Sequence, residues 1–587
     1  METTSNVRSL IRKWRVTLVI SAWLSTLPSL QAASAPDAPE GDTGRYTLSA
    51  ATGKAAMVVT ANTHATTAAI AMLRKGGSAM DAAIAAQAVL GLVEPQSSGF
   101  GGGTFLLYHD GESIISIDGR ETAPFNARAN RFLDGNGRPM DFHAAIRSGL
   151  GVGVPGVLAA LDEGHRRHGR LPWRELFAPA IDLARNGFPV SPRLQALIAR
   201  DPLLRESPST RGYFFDAGGQ AHNSGYLLKN GDYANALSRI ARKGARDFYQ
   251  GRLMKTQRAA LNRAGADLAT ADWTGYRARV TAALCAPYRQ YRVCSAPPPA
   301  GGLTVLQTLR LLDGSPARTA TEQLHQLLEA QRLSFADRQR YSADPAYVPV
   351  PVGPLLADDY VTARRALIAD ESMQKAEPGI PAGLTPPWGT DGQLLENGTT
   401  HLVIVDAHGH WLSMTSSIED AFGSRLMVSG MLFNNQLTDF SFLPQEGGRP
   451  LANRVQGGKR PRSAMSPVIV LDADGRPFLA VGSPGGSRII GYVLRALTAS
   501  LDDNMAPAEV VQLPHVLSRN GPSEIEEMLP MASMTGLINR GHEVTTVDMN
   551  SGLAIIRRTP QGLLLIDKVD GLEHAELERL VGLPIAA

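Results

Sequence analysis

Read for the spacing of apolar residues, the chain falls into blocks of helical and strand-like pattern separated by glycine and proline. Residues 36–50 form a polar leader, and AAMVVTANTHATTAAIAMLRKGGSAMDAAIAAQAVLGLVEP after it reads as strand, helix, helix. The first helix is predicted over about His64 to Lys75 and stops at Gly76-Gly77. Ser78 is placed to cap the second, whose alanines suit close packing on a flat surface. SSGFGGGTFLLYHDGESIISIDGRETAP then gives a glycine turn, a strand, a turn at Asp110-Gly111 and another strand. From about 150 to 260 the pattern is mostly helical, as in LPWRELFAPAIDLARNG. APPPAGGLTVLQTLRLL sets prolines and glycines ahead of a further helix.

The pattern changes over residues 370–398, which are rich in Pro and Gly and poor in periodic apolar positions, as expected of an exposed linker. Beyond it, HLVIVD, WLSMTSS, SGMLFNN and SPVIVLDADGRPFLAVG read as strands of an antiparallel sheet. SPGGSRIIGYVLRALTASLD reads as a glycine turn opening a helix. Helices, sheet, linker, sheet, helices is an order that suits sheets layered between helices.

Composition changes this picture little. The chain has 587 residues, 43% hydrophobic and 19% charged, with a formal charge of +3 that leaves no nucleic-acid footprint. The N-terminus adds more. Arg8, Arg12, Lys13 and Arg15 precede the apolar run VTLVISAWLSTLPSL, and small residues follow in QAASA. This predicts a signal peptide over residues 1–35, removed among residues 32 to 35, and hence a periplasmic or secreted protein; an uncleaved anchor is the other reading. Cys285 and Cys294, in LCAPYRQYRVC, fall opposite each other in a hairpin turning near Arg289-Gln290. In an oxidising compartment a disulfide fits them, and two unpaired structural thiols are the alternative. With no neighbouring histidine cluster, a zinc site is not expected there.

Candidate chemistry is local. SGFGGGT matches a dinucleotide loop only loosely and leads into a strand, so it reads as close backbone packing beside a site. Ser372 and Lys375 make an S-x-x-K match inside the polar linker, where it reads as accidental. NGTTHLVIVD is different. If the chain breaks before Thr399, that residue gains a free α-amine that can serve as base for its own hydroxyl. The chain can make the break itself if the hydroxyl attacks the carbonyl of Gly398. GSPGG sets the N–H groups of Gly485 and Gly486 at a helix entrance, a ready oxyanion hole. Arg120, in DGRETAP, can hold a carboxylate bidentately; a surface ion pair with Glu121 is the plainer reading.

Together these residues resemble the γ-glutamyltransferase (γ-glutamyl transpeptidase) family of N-terminal-nucleophile hydrolases. The likeness rests on GGSAMDAAIAAQ, SSGFGGGTFLLY, DGRETAP, SGLGVGVPG, PPPAGG, NGTTHLVIVD, FGSRLMVSGMLFNNQLTDFS, GKRPRSAMSPVIV and GSPGGSRII, in the family's order. It implies an α+β fold, a four-layer αββα sandwich, and a proenzyme cut between Gly398 and Thr399 into a large subunit, 36–398, and a small subunit, 399–587, that form a heterodimer. It implies Thr399 as nucleophile, Ser417 as the hydroxyl that orients it, and Gly485 and Gly486 as oxyanion donors. Arg120 and Ser463 would grip the α-carboxylate of a γ-glutamyl group, and Gln436 and Asp439 its α-ammonium, with Glu419 beside them. The implied substrates are glutathione and related γ-glutamyl compounds, the acceptors amino acids, peptides or water, and no metal or organic cofactor is needed.

Three departures bear on specificity. Glu419 stands where the family usually has Asn, Ala464 replaces the second serine of an SS pair, and the segment between Asp439 and Ser463 is short and lacks tyrosine. These fit a cephalosporin-acylase-like branch that accepts glutaryl-type side chains. The retained Arg120 and Asp439 favour an α-amino-acid donor. An uncleaved binding protein on the same fold is the reading from a different class.

Overall fold

In the computed structural model two antiparallel sheets lie face to face. The structure describes residues 51–566, apart from 54, 316–318, 393–397, 550 and 560–561. The expected signal peptide, the polar leader, Asn397 and the end of the small-subunit segment lie outside the described residues. The first sheet has six strands in the order Met57–Val59, Thr400–Val405, Trp411–Ser417, Gly103–His109, Ile114–Gly119, Arg279–Ala282. The second has seven: Ala51–Gly53, Gly562–Ile566, Ala554–Thr559, Pro477–Gly482, Val468–Leu471, Tyr291–Ser295, Leu284–Tyr288.

Both sheets therefore draw strands from either side of Gly398-Thr399. The apparent succession of one sheet, linker and second sheet does not survive. Local pattern identifies strands, but pairing is decided by which buried faces meet. The four strands from Met57–Val59 to Gly103–His109 are buried on both faces, which is why runs such as HLVIV and TFLLY read as near-continuously apolar. In Thr400–Val405, Leu402 and Ile404 join the core under the helices Thr63–Arg74 and Ala79–Val93, while Val403 and Val405 join the core between the sheets. On the far side, Gly302–Leu312, Ala320–Tyr341 and Ile489–Leu501 cover the second sheet. Helix, sheet, sheet, helix is the expected four-layer α+β sandwich.

The local predictions hold closely. The first helix is Thr63–Arg74, capped by the Asn62 side chain. Ser78 caps Ala79–Val93 in a box with Asp81, and every residue of that helix except Gly91 is buried, between strands of the first sheet and neighbouring helices. Cys285 and Cys294 are cross-strand partners and are joined in a disulfide. The stretch from 370 to 392 has no regular structure, yet it is fastened down more firmly than an exposed linker. Ala376 exchanges hydrogen bonds with the Asn520 side chain at 2.7 and 2.9 Å, and Ser372 N–H donates to the Arg540 carbonyl at 2.7 Å.

The glycines of SGFGGGT show why no side chain fits there. A Cβ on Gly101 would stand 2.1 Å from the Leu432 carbonyl oxygen, and one on Gly102 would stand 2.1 Å from that of Ser417. Neither neighbour is a mobile side-chain tip. Gly102→Ala is therefore expected to destabilise the protein by about 1–3 kcal/mol, read as a lower thermal midpoint; an unchanged midpoint would contradict this packing.

Candidate active site

Register builds the centre of the site. Thr400 pairs with Ser416, so Thr399 comes alongside Ser417, which itself stands opposite Gly103. Thr399 is buried, 3% exposed. In the uncut chain its hydroxyl donates to the carbonyl oxygen of Gly398. Ser417 Oγ donates to the same oxygen from 3.3 Å, and accepts the Glu419 N–H at 2.8 Å. With that N–H on its lone pair, Ser417 turns its proton toward Gly398 O. Charge gathering on this oxygen as Thr399 attacks would meet a fixed donor. Gly398 sits at φ 61°, a conformation that a side chain would strain.

A second group lies deeper. Arg120 is fully buried, so the surface ion pair considered for it is excluded. Its guanidinium meets Asp439, donates to the Arg462 carbonyl at 3.0 Å and the Pro461 carbonyl at 3.3 Å, and lies 3.5 Å from Glu121. Gln436 Nε2 donates to Asp439 at 3.2 Å. Ser463 follows Arg462 directly; its Oγ accepts the Met465 N–H at 3.1 Å, and its own N–H donates to the Pro299 carbonyl at 2.8 Å. Arg120, Gln436, Asp439 and Ser463 thus share one buried neighbourhood. Ala464 is buried in the core between the sheets. Glu419 touches Ser417 through its backbone, while its carboxylate accepts from Asn435 Nδ2, one residue before Gln436.

Gly485 and Gly486 form the turn from Pro477–Gly482 into Ile489–Leu501, at φ 127° and 56°. A Cβ on Gly485 would run into the Tyr492 ring at 2.4 Å, so glycine is required. Three residues earlier, Gly482 lies flat on the His401 imidazole, which ties this turn to the nucleophile strand.

Two contributors escape motif reading. Glu121 occupies the space left by the missing Cβ of Gly103, 2.2 Å from where that atom would be, and burial raises its pKa to about 8 against the pull of Arg120. Its position beside Arg120 in DGRET was the only signal. Asn435, within NNQLTD, links the two halves of the site: its Nδ2 donates to Glu419 and its Oδ1 accepts the Asp420 N–H at 3.1 Å.

His401 is buried within the strand that follows Thr399, hydrogen-bonded to Thr415 Oγ1 at 2.8 Å, and burial lowers its pKa to about 3. It stays neutral at ordinary pH, two residues along the strand from Thr399 and on the same face, with its ring engaged by Thr415 and Ser413. Elsewhere, His325, Glu329 and His542 bring potential ligand atoms within 4.8 Å of one another. Their geometry favours hydrogen bonding over a cation: the two imidazoles meet at 2.8 Å, and the Arg332 guanidinium stands 3.4 Å from His542. Burial, then Arg332, lowers the His542 pKa to about 3.

Both histidines would charge near pH 6.5 once unfolded. Their folded values lie lower, so the stability they supply is full above about pH 6.5 and is lost as pH falls towards about 3. The thermal midpoint of the protein is expected to fall steadily across that window, and less steeply in His401→Asn. An equally steep fall in the variant would count against a buried neutral His401.

The sequence model of the Gamma-glutamyltranspeptidase family matches residues 65–571. The glutathione hydrolase proenzyme of Bacillus subtilis (strain 168) is 35% identical over 517 residues, 85% of this chain and 87% of that protein. The acylase ACY 1 proenzyme of Pseudomonas sp. (strain V22) is 33% identical over 88% of this chain and 92% of its own length. Among solved structures, cephalosporin acylase from Bacillus halodurans superposes with a TM-score of 0.79 at 25% identity, covering 90% of this chain and 97% of its own. With the fold and the family match in agreement over most of its length, the chain belongs to the gamma-glutamyltranspeptidase family.

Proposed function

We propose that this protein is a self-processing γ-glutamyltransferase and glutathione hydrolase with Thr399 as its nucleophile. In processing, Thr399 Oγ1 adds to the Gly398 carbonyl carbon, the C–N bond breaks, and the hydroxyl proton passes to the departing Thr399 nitrogen. Water then hydrolyses the resulting ester, leaving a Gly398 carboxylate and a free Thr399 amine. In turnover that amine takes the Oγ1 proton as Oγ1 attacks the γ-carbonyl of the donor. The Gly485 and Gly486 N–H groups receive the oxyanion. The donor amine leaves with the proton, and water or an acceptor amine releases the γ-glutamyl group. Segments 36–398 and 399–587 then act as large and small subunits of one heterodimer, held by two shared sheets.

The contact between Arg120 and Asp439 carries the choice of donor. A γ-glutamyl group brings both a carboxylate for Arg120 and an ammonium for Asp439, so exchanging the internal pair leaves no charge alone. A glutaryl group brings only the carboxylate and takes Arg120 from Asp439, whose side chain is 2% exposed, without supplying a cation in its place. Removing the partner of a buried charge costs about 3–5 kcal/mol, or about two to three and a half orders of magnitude in rate or affinity. The N-terminal basic and apolar pattern supports delivery to the periplasm or outside the cell, and the Cys285–Cys294 bridge suits such a compartment.

Two experiments test this reading. A γ-glutamyl anilide is expected to turn over at least about 100-fold faster than a glutaryl anilide; equal rates, or turnover of the glutaryl compound alone, would overturn it. Thr399→Ala is expected to stay full-length and inactive on denaturing gels, since one hydroxyl serves both steps, and recovery of two subunits from it would refute the shared nucleophile.

A further inference from the structure

The stretch after Ser417 holds its shape against local preference. Glu419, Phe422, Arg425 and Ser429 all adopt positive φ, at 78°, 61°, 57° and 55°. None is a residue that favours this region, so the surroundings must impose it. The first of the four bears on chemistry, because the Glu419 N–H is the donor that orients Ser417.

Arg425 is the fastening. It is buried, and its Nε and NH2 reach Asp201 at 2.9 and 2.8 Å. Its NH1 reaches the Asp420 carboxylate at 2.7 Å and the Gly423 carbonyl at 2.6 Å. Asp201 is itself held, accepting the Leu203 and Leu204 N–H groups at 2.8 and 3.3 Å. Asp420 sits between this clamp and Asn435, which also takes the Glu419 carboxylate. The chain is thus pinned on both sides of the peptide that meets Ser417, and the pin is anchored on the other side of the Gly398-Thr399 bond.

We infer that Arg425 is a positioning residue: through Asp420 it holds the Glu419 amide on Ser417, and through Asp201 it makes that alignment depend on the 36–398 segment. The inference rests on Thr399 acting as nucleophile. The guanidinium is needed for its shape as well as its charge, because it spans two carboxylates and a carbonyl at once. Lysine has a single ammonium and can satisfy only part of this.

The test compares wild type, Arg425→Gln, Arg425→Lys and Asp201→Asn. Precursor processing is timed on gels, and kcat and KM for a γ-glutamyl anilide are measured per folded active site, well below each thermal midpoint. Arg425→Gln is expected to slow processing and lower kcat by about 10-fold or more, as for a misaligned catalytic group, with donor KM within about twofold of wild type. Arg425→Lys is expected to recover part of both, and Asp201→Asn, which keeps its capping oxygen, to fall in the same direction as Arg425→Gln. Added guanidinium should raise kcat of an Arg425→Ala protein. Unchanged kcat per folded site, a loss confined to KM, or losses that merely follow the folded fraction would overturn the clamp. A wild-type protein that neither processes nor turns over the anilide would instead sink the nucleophile assignment.

Discussion

A strand enclosed between two others and buried on both faces has one workable register. Shifting Thr400–Val405 by a single residue would send Leu402 and Ile404 into the space of Val403 and Val405, and exchange the two cores. The same register is what brings Thr399 beside Ser417. Nucleophile placement is thus a by-product of core packing: the apolar residues after Thr399 hold the position, and the polar residues before them need no anchoring of their own. Close-packed glycines complete it. Gly102 lets its backbone approach the Ser417 carbonyl, Gly101 does the same at the Leu432 carbonyl, and Gly103 leaves room for Glu121.

Charge is handled in the same economical way. Arg120 is buried away from bulk solvent, and Asp439 and two carbonyl oxygens pair with its guanidinium. Glu121, wholly buried next to it, is held toward its neutral form by burial. On the proposed reading, a γ-glutamyl substrate trades its own charges for the internal pair, and selectivity rests on the charge that an incomplete substrate does not replace as much as on the ion pairs a complete one makes. Ala464, next to Ser463, is buried in the core between the sheets and offers no side-chain donor.

Much of this was legible in residue order, and the limits have physical causes. Caps and turns are local, so Ser78, the Gly76-Gly77 stop and the hairpin bearing Cys285 and Cys294 could be read directly. Gly398-Thr399, Gly485-Gly486 and Arg120 stood out because their residue types suit one chemistry. Sheet membership was not legible: Thr400–Val405 pairs with Met57–Val59 more than three hundred residues earlier, and nothing in either strand names the other. Glu121 and Asn435 were hidden for a related reason. Their roles come from what packs on them, and a buried carboxylate has the same letter as a surface one.

Cutting the chain between Gly398 and Thr399 removes a covalent link without removing a packing element. Both sheets contain strands from each side of the break, and the 370–392 stretch stays tied to the later segment through Asn520 and Arg540. The proposed cut changes the chemistry of Thr399, the residue before the strand Thr400–Val405. A peptide nitrogen, useless as a base because its lone pair is delocalised into the carbonyl, becomes an amine at a position 3% exposed to solvent. In the proposed mechanism it is this amine, in its neutral form, that takes the hydroxyl proton. The sandwich that fixed the register before the cut therefore also supplies the dry setting in which the new terminus can work as a base.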